Sequence, residues 1–372
     1  MTRTGKTPQG TRPAGGRSGP GAKLLGALFL VIVGIDVAVY LWFKGCSPDR
    51  KAILEPTRKT AAALSGSNVT VNARRPGPGD ARHSTVPERI AALQVALDRL
   101  GFSPGVIDGQ FGSQTRVALV AWQMANSLKP TGELDVPSSA IIDVPEHPYG
   151  DYTITADDWS QLGDVPGDWR ERSQRSRMPY ETILELVAEK FHSKEAFIRQ
   201  LNPQVIDWTV LQSGQSIRVP ECSSVGRTRP PKASRLRVYL GSKYLRAYDD
   251  DGRIIAHFPC SIAAREEKRP IGLLTVESVV LNPDYTFDPS IFPELEPAQK
   301  SYGKLIVPPG PNNPVGIAWI GLSQPGYGIH GTPHPEQIGR TESHGCFRLA
   351  NWNAERLAHM VVLGTPVEVV PE

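Results

Sequence analysis

The sequence predicts a multidomain chain: one N-terminal transmembrane helix, a small helical domain, a small α+β domain and a mostly β domain at the C-terminus. Three observations predict it. An apolar run fills residues 24 to 43, helical periodicity sets in after residue 85, and short alternating segments dominate beyond residue 234. A length of 372 residues is also too much for one ordinary domain.

The apolar run, "LLGALFLVIVGIDVAVYLWF", is long enough to cross about 30 Å of hydrocarbon as a helix. Asp36 near its middle costs roughly 2.5–3.5 kcal/mol on insertion scales, but many Leu, Ile, Val and Phe residues at roughly −0.3 to −0.6 kcal/mol each outweigh it. Arg3, Lys6, Arg12, Arg17 and Lys23 precede the run without an acidic residue. Residues 1–23 are therefore expected to be a basic cytoplasmic tail, and everything after residue 43 to be exported. A cleaved signal peptide fits less well, because no small-x-small site follows. "FKGC", ending at Cys46, resembles a lipoprotein cleavage site poorly. The net charge of +3 belongs to this N-terminus, and the rest of the chain is slightly acidic, which excludes a nucleic-acid footprint.

Residues 44–84 are rich in Pro, Gly, Ser, Thr and Arg without apolar periodicity and read as a flexible linker. Order is expected from residue 85, in a helical domain over 85–136. Thr85 and Glu88 form a possible capping box, and Ile90, Leu93, Leu97 and Leu100 mark one helical face ending at Gly101. Ser113 is placed to cap a second helix, with Ala118, Ala121, Trp122 and Ala125 on one side. Helices are also expected at Ile183–His192 and Glu195–Leu201, followed by a strand at Ser216–Val219, all within an α+β region over 150–221. Trp159 and Trp169 lie in a stretch to which the sequence assigns no role. A linker at 222–233 leads to a domain over 234–372. There "LRVYL", "YLRAYDD", "IIAHFPCSI", "LLTVESVVL", "GIAWIGL" and "PVEVV" read as strands, with Asp251-Gly252 as a hairpin turn. A helix at 352–362 is expected to be capped by Asn351.

The chemistry concentrates in "GYGIHGTPHPEQIGRTESHGCFRL". A cysteine becomes a useful nucleophile when a neighbouring histidine or positive charge favours its thiolate. His330 could be the base for Cys346, with His344 two residues before the cysteine. Gly345 lacks a Cβ, so the backbone N–H groups of 345 and 346 could form an oxyanion hole. Arg348 adds positive charge favouring a thiolate and an anionic substrate. Two other readings stay open: a zinc site from His330, His334, His344 and Cys346, and an inert buried cysteine. Four cysteines in an exported chain also invite pairing, and Cys222 with Cys260 is conceivable.

Three stretches resemble known families. "LQVALDRLGFSPGVIDGQFGSQTRVALVAWQ" with "LKPTGELD" closely resembles the peptidoglycan-binding module found beside cell-wall enzymes. "ILELVAEKFHSKEAFIRQLNP" with "LQSGQSIRVP" resembles a lysin-motif (LysM) sugar-binding module, although "YETI" stands where the opening strand and Gly-Asp-Thr turn belong. A degenerate spacer with a LysM-like fold is the competing reading. "IHGT" paired with "SHGCFRL" resembles the L,D-transpeptidase catalytic signature, supported by "RPIG" and "PPGPNNPVG". That resemblance implies that Cys346 attacks a peptide carbonyl with His330 as its base. It also implies that the Gly331 carbonyl orients His330, and that His344 and Arg348 support the site. Together with the apolar run at 24–43, it implies a membrane-anchored periplasmic enzyme acting on peptidoglycan stem peptides and glycan, without metal or cofactor. An L,D-carboxypeptidase using water, or a non-catalytic wall-binding anchor, are the alternatives.

Overall fold

The computed structural model describes residues 85–222, 229–292, 295–340 and 345–372. The expected cytoplasmic tail, transmembrane helix, linker at 44–84 and Cys46 lie outside the described residues, as do residues 223–228 of the 222–233 linker and His344. Among the described residues, no helix is long and apolar enough to cross a membrane.

The helical domain is built on α1 (Val86–Arg99) and α2 (Ser113–Ala125), with one further turn at Val136–Ser139. Thr85 caps α1 by accepting the Glu88 N–H at 3.4 Å. Leu93 and Leu97 pack against Ala118, Ala121 and Trp122, as the periodicity requires. Leu100 departs from that face: it is the C-cap residue and is exposed. Ser113 does not cap α2, since Gly112 occupies the N-cap without a side-chain bond. Two buried glutamines tie the turns. Gln94 Oε1 accepts the Asp108 and Gly109 N–H groups at 3.2 and 2.9 Å, and its Nε2 donates to Asp108, Gln110 and Thr115. Gln123 does the same for Thr131, Gly132, Glu133 and Ser138.

The α+β region contains the opening strand that was not evident next to its first helix. That strand is β1 (Tyr149–Thr153), and residues 154–182 separate it from α3 (Ile183–Lys190). α4 (Glu195–Leu201) follows, and β2 (Ser216–Pro220) returns antiparallel to β1, with Tyr149 opposite Pro220. The arrangement is strand, helix, helix, strand around Tyr152, Ile183, Val187, Phe191, Ile198 and Ile217. Sequence proximity hid the first strand, because the long insertion broke the expected spacing.

The C-terminal domain places β3 (Arg235–Tyr239), β4 (Tyr244–Tyr248), β5 (Ile254–Pro259), β6 (Gly272–Leu281), β9 (Ala318–Leu322), β10 (Gly328–His330), β11 (Phe347–Arg348) and β12 (Pro366–Val370) in one sheet. Their order is β11-β10-β9-β6-β12-β3-β4-β5. A separate hairpin joins β7 (Tyr285–Phe287) to β8 (Leu305–Val307). Helix α5 (Asn351–Met360) packs Leu357 and Met360 into the core. Its N-cap is Ala350 with no side-chain bond, so Asn351 is the first helical residue rather than the cap. Cys222 and Cys260 are not paired; each is a buried thiol in a different apolar cluster.

Candidate active site

The site forms where β10 and β11 run parallel, with Ile329 opposite Phe347 and His330 opposite Arg348. Side chains alternate across a strand, so one pair faces each way. Ile329 and Phe347 are buried in the core, which sends His330 and Arg348 to the opposite face of the sheet. Cys346 lies just before β11, and its sulfur is within electrostatic reach of Arg348. Trp319, opposite His330 on β9, stacks on the imidazole with ring centres 5.6 Å apart.

His330 Nδ1 lies 2.7 Å from the Gly331 carbonyl. A carbonyl only accepts, so this nitrogen carries the hydrogen and Nε2 is left with its lone pair. Burial lowers the His330 value to about 4, opposed by the Gly331 bond and reinforced by Arg348. The imidazole is therefore neutral at pH 7. Crowding around Cys346 raises its thiol, while a Gly328 N–H and the Arg348 charge pull it down. Burial prevails, so Arg348 does not by itself deliver a resting thiolate. The Cys346 sulfur also lies 3.5 Å from the Gly326 carbonyl.

Several groups around the thiol were not evident in the sequence. Tyr285, on β7, is pushed up to about 12, first by burial and then by Cys346, with Arg348 opposing. Its phenol keeps its proton at any working pH. Tyr327 borders Gly345, where an added Cβ would stand 3.6 Å from its ring. Gly345 is thus in ordinary contact range, whereas Gly331 is sterically required: a Cβ there would stand 2.2 Å from Asn351 Oδ1. Trp169, given no role in the sequence, stacks on Phe287 of β7 with centres 4.2 Å apart. Trp169 lies more than a hundred residues before this strand, so only the tertiary fold shows these neighbours.

Among the described residues, His330, His334 and Cys346 do not form a group able to hold one ion; the group that does bring ligand atoms within 4.8 Å is Asp98, His192 and Cys222. There His192 Nδ1 already bonds Asp98 Oδ2 at 2.7 Å, and Arg356 lines the same small cavity and interacts with Asp98. The Asp98 carboxyl group is thus already engaged by a hydrogen bond across the boundary of the helical and α+β modules.

Comparisons with known proteins agree with this architecture. Residues 233–369 match the model of the L,D-transpeptidase catalytic domain, and residues 87–136 match that of a peptidoglycan binding domain. YkuD of Bacillus licheniformis, named among the L,D-transpeptidases, is 31% identical over 194 residues, spanning 52% of this chain and 96% of its own. Its Bacillus subtilis counterpart is 28% identical, over 50% of this chain and 92% of that one. An L,D-transpeptidase structure from Xylanimonas cellulosilytica is 17% identical, over 80% of this chain and 100% of that chain, with a TM-score of 0.32. The chain belongs to the L,D-transpeptidase family.

Proposed function

We propose that the protein is a peptidoglycan L,D-transpeptidase in which Cys346 is the nucleophile and His330 its general base. The observation that carries this reading is the 2.7 Å bond from His330 Nδ1 to the Gly331 carbonyl, which leaves Nε2 as the ring nitrogen able to accept a proton. With a neutral thiol and a neutral imidazole at rest, the proton moves as the sulfur attacks. Sγ bonds to the carbonyl carbon of the third residue of a tetrapeptide stem, and Nε2 takes the thiol proton. The amide bond to the terminal D-alanine breaks, its amine takes that proton from His330, and a thioester remains. An acceptor amine then attacks the thioester, passes its proton through His330, and Cys346 is regenerated as a thiol.

The backbone N–H groups of Gly345 and Cys346 stabilise the oxyanion in this scheme. Arg348 and the Tyr285 hydroxyl present a cation and a donor suited to the D-alanine carboxylate. His344 is assigned a supporting role. The wall-binding module raises the effective concentration of insoluble substrate. The apolar run at 24–43 anchors the chain in the cytoplasmic membrane, with the catalytic domain outside.

Muropeptide analysis of cells with and without Cys346→Ser tests the reaction. Cross-linked dimers that vanish with the cysteine support transpeptidation. Loss of tripeptides alone would assign water as the acceptor, and no change would leave a binding protein. A reporter active only outside the cytoplasm, fused after Glu372, should work; silence there would refute the exported topology.

A further inference from the structure

Asn351 was expected to cap a helix and instead joins two modules. Its Nδ2 donates to both carboxylate oxygens of Glu189, each at 3.1 Å, and to the Pro311 carbonyl at 3.2 Å. Its Oδ1 accepts the Ile317 N–H at 3.3 Å. The same oxygen lies against two glycine backbones: a Cβ would stand 2.0 Å from it on Gly316 and 2.2 Å from it on Gly331. Gly331 in turn supplies the carbonyl that holds His330 Nδ1. A continuous contact path therefore runs from Glu189 through Asn351 and Gly331 to the imidazole.

Glu189 belongs to α3, in the α+β module, not to the catalytic domain. It stands where helix meets domain, and a leucine would serve packing there without the cost of covering a carboxyl group. Burial raises its value to about 8, against the bonds from Asn351 and Tyr180 that lower it. The Tyr180 hydroxyl donates to Oε1 at 3.0 Å, fixing the carboxyl group from the module side. The arrangement thus orients one amide, and that amide touches the backbone on which the base is mounted.

We propose that Glu189 is a positioning residue for His330, acting across the module boundary through Asn351 and the Gly331 backbone. The inference rests on the reading of His330 as the base for Cys346. Without Glu189 the Asn351 amide loses both of its bonds to that carboxyl group and is held only by the weaker Pro311 and Ile317 bonds. The Gly331 carbonyl then holds Nδ1 less well, and Nε2 is no longer fixed toward the thiol. The α+β module is accordingly part of the catalytic unit and more than a spacer or a wall-binding device.

A bond that merely docks the module would change stability and the fraction of folded protein. A positioning bond changes the rate at each working site. The test is rapid-mixing acylation of the full chain by a carbapenem, with intact mass counting the reactive sites, so that rate per site and active fraction separate. Glu189→Leu and, independently, Asn351→Ala should each slow acylation per site by about tenfold, a modest part of the hundredfold that misplacement of about 1 Å can cost. Glu189→Gln can still accept from Asn351 through its amide oxygen and donate to Tyr180, so it should recover the rate to within about threefold. If Asn351→Ala and whichever Glu189 variant folds show only a lower melting temperature at an unchanged per-site rate, the positioning role is overturned. If wild-type Cys346 is not acylated at all, the transpeptidase reading itself fails and takes this inference with it.

Discussion

The two accessory modules differ in how they meet the catalytic domain. The helical domain matches its family clearly, yet its recognisable residues serve its own turns, as Gln94 and Gln123 show. It meets the catalytic domain at β5, where Ser103 N–H donates to the His257 carbonyl at 2.9 Å, and at Ile338, whose carbonyl accepts from Gln114 at 2.8 Å. The α+β module is harder to recognise but touches the segments that carry the site. Met178 N–H donates to the Pro309 carbonyl at 2.8 Å, Asn312 Nδ2 donates to Glu185 at 2.7 Å, and the Tyr302 hydroxyl donates to Asp168 at 2.8 Å. Trp169 stacks on the hairpin that holds Tyr285. Recognisability and mechanical involvement are thus separate properties.

Four changes should break or sharpen this contrast. The largest effect is expected at the junction of Asn351 and the base. Gly331→Ala sets a methyl 2.2 Å from Asn351 Oδ1, so acylation of Cys346 should fall by about a hundredfold, measured per reactive site. Next comes the aromatic clamp. Trp169→Ala removes a stacked pair worth about 1 kcal/mol beyond its area, and should lower kcat/KM roughly fivefold through a looser Tyr285 hairpin. An unchanged value would mean that the hairpin stands without the module.

The helical domain should respond in the opposite way. Gln94→Ala strands the Asp108 and Gly109 N–H groups and should destabilise that domain by about 2–4 kcal/mol. Sedimentation with purified wall should fail while acylation per site changes less than about twofold. Loss of both together would show the two modules to be equally coupled to the chemistry.

The smallest effect concerns acidity. His330 has a folded value of about 4 and His257 about 3, both below 6.5, so the unfolded chain binds more protons between these limits. Stability is fully present above about pH 6.5 and falls as the pH drops toward 4. Activity should nonetheless vary little between pH 7 and about 5, because His330 stays neutral there. A rate limb centred near 6.5 in a pH profile would contradict the burial of the imidazole.

Much of the architecture was legible because local pattern and tertiary burial agree. The face of α1 at Leu93 and Leu97, the alternation of β3 and the Gly252 turn all follow from periods and glycine conformations that short windows contain. His330 and Arg348 stand side by side because β10 and β11 pair in parallel, and Arg348 in turn acts on Cys346. The Gly331 carbonyl holds Nδ1 as the family resemblance implied. What escaped was non-local. β1 lies far in sequence from the helices it covers, and Asn351 has the residue type of a cap but spends its amide on Glu189. Trp169 and Tyr285 meet only once two modules pack together. Arg348 was expected to favour a thiolate, and the opposing cost of burial at Cys346 is a property of the folded chain alone.

The central claim is that one sulfur, activated by one imidazole, carries the acyl group. Brief exposure of the full chain to a carbapenem, followed by intact mass and peptide mapping, tests it directly. Cys346 should take a single label, and His330→Gln should slow that labelling by roughly a hundredfold or more, the range expected for loss of a general base. Arg348→Gln should slow it less. Buried Cys222 and Cys260, both raised by their surroundings, should stay unlabelled. Label on either of these, or an unchanged rate in His330→Gln, would contradict the account.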